Sequence, residues 1–158
     1  MKRLVVYYSF SGNTRAMAKR IARALRADIA EIRTLKTYPD DLDVLLGLAK
    51  REIESGYLPQ IVPLSVDASK YDVIILGTPV WWNSFTPAMK KFTSGISWKG
   101  KKVYPFSTND KGAGHVQSDF KKALRGATVA PLMNLKFDDK TLVTPLAEIN
   151  EWLLGISK

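Results

Sequence analysis

Residues 4–15 decide the fold of this chain, and they read Leu4-Val5-Val6-Tyr7-Tyr8-Ser9-Phe10-Ser11-Gly12-Asn13-Thr14-Arg15. The apolar start is typical of a buried strand, and the apolar residues of 17–25 recur at helical spacing. A hydroxyl-rich glycine turn between strand and helix suits phosphate, because the first helical turn leaves N–H groups unpaired and its dipole attracts anions. The turn holds more capping-type residues than one helix cap needs. We therefore predict that residues 9–14, the phosphate loop, bind a phosphate group.

The composition fits one domain spanning residues 1–158. Of the 158 residues 46% are apolar, which suffices for a hydrophobic core. No apolar run approaches the roughly 20 residues that span a bilayer, and we expect no signal peptide before the first strand. Cysteine is absent and one histidine is present, which excludes a thiol nucleophile and predicts no metal site. We expect a cytoplasmic protein.

The formal net charge of +9 is compatible with nucleic acid, acidic proteins or phosphorylated small molecules as partners. The basic residues are spread along the chain rather than clustered. On the first predicted helix, Arg15, Lys19, Arg23 and Arg26 share the face opposite the apolar one, which is typical of a solvated helix surface. No zinc finger, RNP-type motif or basic heptad accompanies the charge. We therefore expect no specific nucleic-acid partner.

Strand-like and helical patterns alternate along the chain. The predicted strands are residues 4–8, 29–32, 73–77, 102–106 and 128–132. Apolar stripes with helical spacing lie between and after them, and two helices are predicted to start at a threonine followed by proline, at Thr86-Pro87 and at Thr144-Pro145. This alternation predicts an α/β fold, a three-layer sandwich around a five-stranded parallel sheet.

The strand compositions also predict the order of the sheet. The first and third strands are apolar throughout, as strands covered on both faces must be. The second strand is mixed, and the fifth contains Pro131, which an edge strand tolerates. These features fit the doubly wound order 2-1-3-4-5, in which the ligand crevice lies at the carboxyl ends of strands one and three.

Two further loops are predicted to complete this crevice. Residues 78–85, the tryptophan loop, follow strand three and contain Trp81 and Trp82, which suggests a planar aromatic ligand stacked on an indole. Because neighbouring side chains usually point in different directions, we expect one of the two to be a core anchor. Residues 107–115, the glycine loop, follow strand four and can give hydrogen bonds to the edge of a heterocycle.

These segments together resemble the flavodoxin family. Residues 5–14 are similar to the family's FMN phosphate loop, residues 71–82 to its third strand and first flavin loop, and residues 100–108 with the Gly112/Gly114 turn to its fourth strand and second flavin loop. The order and spacing of these three segments resemble those of the family over essentially the whole chain. The short connection at residues 134–143 resembles that of a short-chain member. The resemblance implies a flavodoxin-like sandwich with non-covalently bound FMN.

The resemblance also implies three groups of FMN-contacting residues. The residues that would hold the phosphate are Ser9, Ser11, Gly12, Asn13 and Thr14. Those that would flank one side of the isoalloxazine are Thr78, Pro79, Val80, Trp81, Trp82 and Asn83. Those that would line the other side are Thr108, Asn109, Gly112 and Gly114. Asn83 stands where related sequences often carry glycine, and asparagine is among the residues most able to adopt positive φ.

Two functions remain open for such a protein. One is an electron carrier between redox proteins, and the other is an NAD(P)H-dependent FMN reductase of quinones or nitro compounds. Familiar carriers are acidic, so the +9 charge favours acidic partner proteins over the usual ones, and a basic rim would also suit the phosphates of NADPH. No sequence feature is typical of a nicotinamide site, and such enzymes are usually longer. We therefore favour the carrier, and we assign no catalytic residue.

Overall fold

The computed structural model describes residues 2–158 of an α/β protein. Its helices are α1 (Asn13–Leu25), α2 (Leu42–Ser55), α3 (Pro87–Ser94), α4 (Val116–Ala123) and α5 (Leu146–Ser157). Its strands are β1 (Arg3–Tyr7), β2 (Asp28–Glu31), β3 (Val73–Pro79), β4 (Lys102–Asn109), β5 (Thr128–Val129), β6 (Met133–Asp138) and β7 (Thr141–Leu142). Among these residues, no helix is long and apolar enough to cross a membrane.

The sheet runs in the order β2-β1-β3-β4-β6-β7, with β5 also paired to β4. All neighbours are parallel except the last pair, β6 and β7. At the centre, Val5 of β1 lies between Ile29 of β2 and Ile75 of β3. The predicted doubly wound order is therefore confirmed for its first four strands. In this arrangement the crevice is expected at the carboxyl ends of β1 and β3.

The fifth strand position differs from the prediction, because two strands share it. β5 pairs with the start of β4 at Lys102 and Val103, whereas β6 pairs with its end at residues 106–109. Pro131, which lacks an N–H group, lies in the gap between them. The N–H group of Leu132, in the same gap, donates to the side chain of Gln117 on α4. Predicting one strand at 128–132 was therefore wrong in its bounds, and the sheet of residues 2–158 has seven strands rather than five.

Residues 134–143 are likewise more than a connection. They hold most of β6, the turn after it, and β7, which pairs antiparallel with β6 through Phe137 and Leu142. The alternating burial of β6, with Leu135 and Phe137 buried, is that of a strand with one face on the core. This β6–β7 hairpin places its turn beside the phosphate loop.

Two hydrophobic clusters hold the layers together. On one face of the sheet, Val5, Ile75 and Phe106 pack against α1 and α5. On the other face, Leu4 and Leu76 pack against α2, α3 and α4. Burying each large aliphatic side chain contributes about 1.5–3 kcal/mol. The helices therefore cover both faces of the sheet.

The two predicted threonine-proline helix starts have different outcomes. Thr86 caps α3 as predicted, since its hydroxyl accepts the N–H of Met89 at 3.3 Å. The prediction for α5 was wrong, because Pro145 occupies the N-cap position and the Thr144 hydroxyl instead accepts the N–H of Lys136 at 2.7 Å. Thr144 therefore supports the β6–β7 hairpin, a role that local sequence does not signal.

Candidate functional site

The phosphate loop is held in shape by its own side chains. The Ser9 hydroxyl accepts the N–H groups of Gly12 and Arg15, each at 3.2 Å, and so caps the start of α1. Gly12 has φ 102, a backbone conformation that favours glycine. Within residues 2–158, the N–H groups of Asn13 and Thr14 have no hydrogen-bond acceptor. These two donors at the first turn of a helix are suited to binding an anion.

The turn of the β6–β7 hairpin contacts the same loop. The Asn13 side-chain amide donates to the carbonyl of Asp139 at 2.7 Å, so this predicted phosphate ligand anchors the hairpin. The Lys140 ammonium donates to the carbonyl of Ser11. Sequence reasoning missed Lys140, because it lies in a segment interpreted as a connection and far along the chain from the loop it contacts.

Thr14 and Thr108 meet beneath the phosphate loop. Their hydroxyl oxygens are 2.7 Å apart, and the residues are 2% and 5% exposed. The sequence placed Thr14 in the phosphate group and Thr108 beside the isoalloxazine. The structure brings the two hydroxyls together as a link between α1 and β4.

Trp81 is the core anchor of the tryptophan pair. It is 5% exposed and belongs to the cluster beneath α2, α3 and α4. Tyr8, Phe10 and Tyr38 surround it edge-to-face, with ring centroids 5.7, 6.2 and 5.2 Å away. This packing fixes the base of the tryptophan loop.

Trp82 lies in an exposed turn. The backbones of Trp81 and Ser84 exchange two hydrogen bonds of 3.0 and 3.1 Å, and the two central residues, Trp82 and Asn83, have φ of 51 and 64. Positive φ at both positions is the mark of a type I′ turn, which explains the asparagine. The Trp82 indole is 45% exposed, donates to the carbonyl of Leu46 at 2.7 Å and lies 5.3 Å from the Lys50 ammonium.

Hydrogen bonds connect the other residues of the tryptophan loop to the sheet. The buried Thr78 hydroxyl accepts the N–H of Thr86 at 3.2 Å and donates to the carbonyl of Pro79 at 2.8 Å. Val80 donates its N–H to the carbonyl of Thr108 at 3.2 Å. These bonds join the loops that follow β3 and β4 at their bases.

The glycine loop packs directly against this turn. The N–H of His115 donates to the carbonyl of Asn83 at 2.8 Å. A Cβ atom on Gly114 would come within 2.5 Å of Asn83, so glycine is required there. Asn109 closes the other end of the loop by accepting the N–H of Gly112 at 2.8 Å and donating to Asn134. The predicted site residues of the two loops therefore lie along one edge of the sheet.

A groove that the sequence did not reveal lies beside these loops. Its volume is about 420 Å³, and its lining includes Phe85, Lys90, His115, Asp119 and Lys122. The Asp119 carboxylate accepts the Ser84 hydroxyl at 2.6 Å and pairs with the His115 ring at 2.5 Å. This interaction fixes the start of α4 against the tryptophan loop.

The cation in the first turn of α1 is held in an ion pair. Arg15 contacts Glu31 of β2 at 2.6 Å. Burial by itself would raise the pKa of Glu31, but the hydrogen bond and charge of Arg15 hold that pKa below its usual value. Burial and the Glu31 carboxylate both raise the pKa of Tyr7. The charge of Arg15 is therefore engaged within the protein.

The fold is doubly wound, and the phosphate, tryptophan and glycine loops follow the carboxyl ends of β1, β3 and β4. The family model described as "Flavodoxin" matches residues 2–152. The chain belongs to the flavodoxin family.

Similar solved structures agree with this assignment. A flavoprotein from Lactobacillus acidophilus NCFM, solved in complex with FMN, is 25% identical with a TM-score of 0.74, over 96% of this chain and 97% of that one. The two-electron reduced flavodoxin of Megasphaera elsdenii is 23% identical with a TM-score of 0.63, over 98% of each chain, and shows the likeness of fold.

One similar curated protein is the NAD(P)H dehydrogenase (quinone) 3 of Rhizobium meliloti (strain 1021). It is 33% identical over 108 residues, which cover 65% of this chain and 48% of the relative. A second protein with a quinone dehydrogenase name, from Geotalea uraniireducens (strain Rf4), is matched over 53% of its length. The chain thus spans about half the length of these curated relatives.

Proposed function

We propose that this protein is an electron carrier that binds FMN non-covalently across the phosphate, tryptophan and glycine loops. The observation that carries the proposal is the pair of N–H groups on Asn13 and Thr14 that have no acceptor among the described residues. They lie after the carboxyl end of β1, in a turn whose shape is fixed by hydrogen bonds from Gly12 and Arg15 to the Ser9 hydroxyl. Membership of the flavodoxin family makes FMN the ligand. The residues present fit this group, because the open donors suit its phosphate.

Each of the three loops contacts a different part of FMN. The N–H groups of Asn13 and Thr14, with the Ser11 hydroxyl, hold the phosphate. Trp82, exposed and at the rim of the tryptophan loop, stacks on the isoalloxazine, while Trp81 supports the turn from below. The glycine loop excludes water from the opposite side of the ring. When bound, FMN supplies the one- and two-electron chemistry of the protein.

The +9 charge bears on the partner of this carrier. A strongly basic protein attracts acidic partners and repels basic ones, and this affects the rate of encounter most strongly at low salt. We therefore propose acidic redox proteins as its donors and acceptors, with the cytoplasm as the expected compartment.

An NAD(P)H-dependent quinone reductase is the second candidate. Two observations favour it: the names of the curated relatives, and the groove beside the tryptophan loop, whose lining combines apolar Phe85 and Pro87 with Lys90 and Lys122. The relatives extend well beyond the matched region, so the activity in their names can depend on segments that this chain does not match. An electron carrier needs no binding site for a small molecule other than FMN.

Turnover without a partner protein distinguishes the two candidates. Purified holoprotein is mixed with NADPH or NADH and menadione, and absorbance at the nicotinamide band is followed. The carrier account expects no oxidation until a flavodoxin reductase is added. Steady turnover by the holoprotein alone would support the reductase and contradict the carrier. Free FMN at the same concentration is the control for non-enzymatic reduction.

A further inference from the structure

We propose that Lys140, carried to the phosphate loop by the β6–β7 hairpin, forms an ion pair with the phosphate of the bound flavin. The inference rests on the proposed binding of FMN and names a cation that selects its phosphorylated form. Lys140 lies outside the loop that the sequence predicted for phosphate, and it adds a charged ligand to neutral donors.

The position of Lys140 comes from two contacts of the hairpin turn. The Lys140 ammonium donates to the carbonyl of Ser11, and a Cβ atom on Gly12 would lie 3.8 Å from the Lys140 nitrogen. The neighbouring carbonyl of Asp139 accepts the side-chain amide of Asn13 at 2.7 Å. Since Asn13 and Gly12 flank the start of α1, the ammonium lies beside the turn whose N–H groups are unsatisfied.

The bonding of Lys140 leaves it able to bind an anion. An ammonium group has three N–H donors, and within residues 2–158 its one polar contact is the Ser11 carbonyl. A phosphate dianion is a better partner for a full positive charge than a neutral carbonyl, because charge-assisted hydrogen bonds are stronger. Lys140 can therefore turn from the carbonyl to the phosphate with a small movement of a long side chain.

The surrounding charges explain why a cation is needed there. Asp138 and Asp139 precede Lys140 in the same exposed turn, and their carboxylates would oppose a bound phosphate. Arg15, the basic residue of the first turn of α1, is paired with Glu31 at 2.6 Å. Lys140 is thus the cation beside the loop that is not committed to a carboxylate among the described residues.

The experiment compares FMN with riboflavin, which lacks the phosphate, on apoprotein of four forms. These are the wild type, Lys140→Gln, Lys140→Arg and the control Lys99→Gln, which removes one exposed positive charge just before β4, at the opposite end of the strands. Affinities are measured by quenching of flavin fluorescence at several salt concentrations. Thermal unfolding of each apoprotein verifies that it is folded.

We expect Lys140→Gln to weaken FMN binding about tenfold at low salt, as for a partly exposed charged contact, and to leave riboflavin binding unchanged. The salt dependence of FMN affinity should be reduced by the same change, whereas Lys140→Arg and Lys99→Gln should behave as the wild type. Unchanged FMN affinity in Lys140→Gln, or an equal loss for both flavins, would overturn the inference. A wild type that binds FMN no better than riboflavin would instead contradict the proposed function itself.

Discussion

The phosphate loop and the tryptophan loop follow two neighbouring central strands, but they are built in different ways. In the phosphate loop, the Ser9 hydroxyl holds two backbone N–H groups and Gly12 adopts the one positive φ. In the tryptophan loop, Trp82 and Asn83 both have positive φ, and a bulky residue in that region costs roughly 1–2 kcal/mol. The phosphate loop is thus held in shape by hydrogen bonds to one side chain, whereas the tryptophan loop contains a strained and exposed turn.

Adjacent tryptophans show the same contrast within one loop. Trp81 is enclosed by three aromatic rings, while Trp82 stands at the rim with its indole bonded to the carbonyl of Leu46. Trp81 belongs to the core, whereas Trp82 is the residue that we propose to stack on the flavin. The division of roles can be tested by separating effects on stability from effects on flavin binding.

The largest effect on stability is expected from Trp81→Ala. Loss of a buried aromatic side chain costs about 3–5 kcal/mol, whereas Trp82→Ala should cost less than about 1 kcal/mol, because its ring is 45% exposed. Urea denaturation of the apoproteins measures both free energies of unfolding. Trp82→Ala should weaken FMN binding despite its small effect on stability. Similar losses of stability in the two variants would contradict this division of roles.

A smaller effect is expected from the buried threonine pair beneath the phosphate loop. Thr14→Val or Thr108→Val leaves the other hydroxyl without its partner, which should cost about 1–2 kcal/mol of unfolding free energy. In the double variant no hydroxyl is left without a partner. Its loss of unfolding free energy should therefore be smaller than the sum of the losses in the two single variants. A double-mutant cycle measures this coupling. Strict additivity would indicate that the hydroxyls do not interact.

Glu31→Gln should cost about 1 kcal/mol near neutral pH, since it removes the ionic partner of Arg15 at the phosphate loop. Folding lowers the pKa of Glu31, so its ionised form stabilises the protein above the unfolded-state pKa, and this contribution is lost as pH falls through the folded-state pKa. Wild type and Glu31→Gln should therefore converge in stability in acid. Unfolding measured from neutral pH to below pH ~4 verifies this, and a gap that persists in acid would exclude the ion pair as its cause.

The smallest effect is expected from Asn83→Gly. Glycine adopts the φ of 64 without steric cost but loses more entropy on folding, so stability should change by less than about 0.5 kcal/mol. The hydrogen bond from His115 to the carbonyl of residue 83 is retained. Asn83→Val is the matched contrast, because a β-branched residue is poorly suited to positive φ. If both variants are equally stable by urea denaturation, the turn is not strained as described.

The sequence predicted those parts of the fold that local pattern determines. The apolar strands β1 and β3, the loops that follow β1, β3 and β4, and the Thr86 cap all have local signals. The fifth strand had no such local signal for its interruption at Pro131. That interruption depends on Gln117 of α4, whose side chain accepts the N–H group of Leu132. The role of Lys140 depends on a hairpin meeting a loop far from it along the chain. Such contacts come from tertiary structure, which local periodicity does not encode.

Titration of the apoprotein with FMN and with riboflavin tests the central claim most directly, namely that the phosphate loop binds the phosphate of FMN. The unpaired N–H groups of Asn13 and Thr14 should make FMN bind about a hundredfold more tightly than riboflavin, a difference in binding free energy of roughly 2.7 kcal/mol. Inorganic phosphate should compete with FMN and leave riboflavin binding unaffected. Equal affinity for the two flavins would contradict the account.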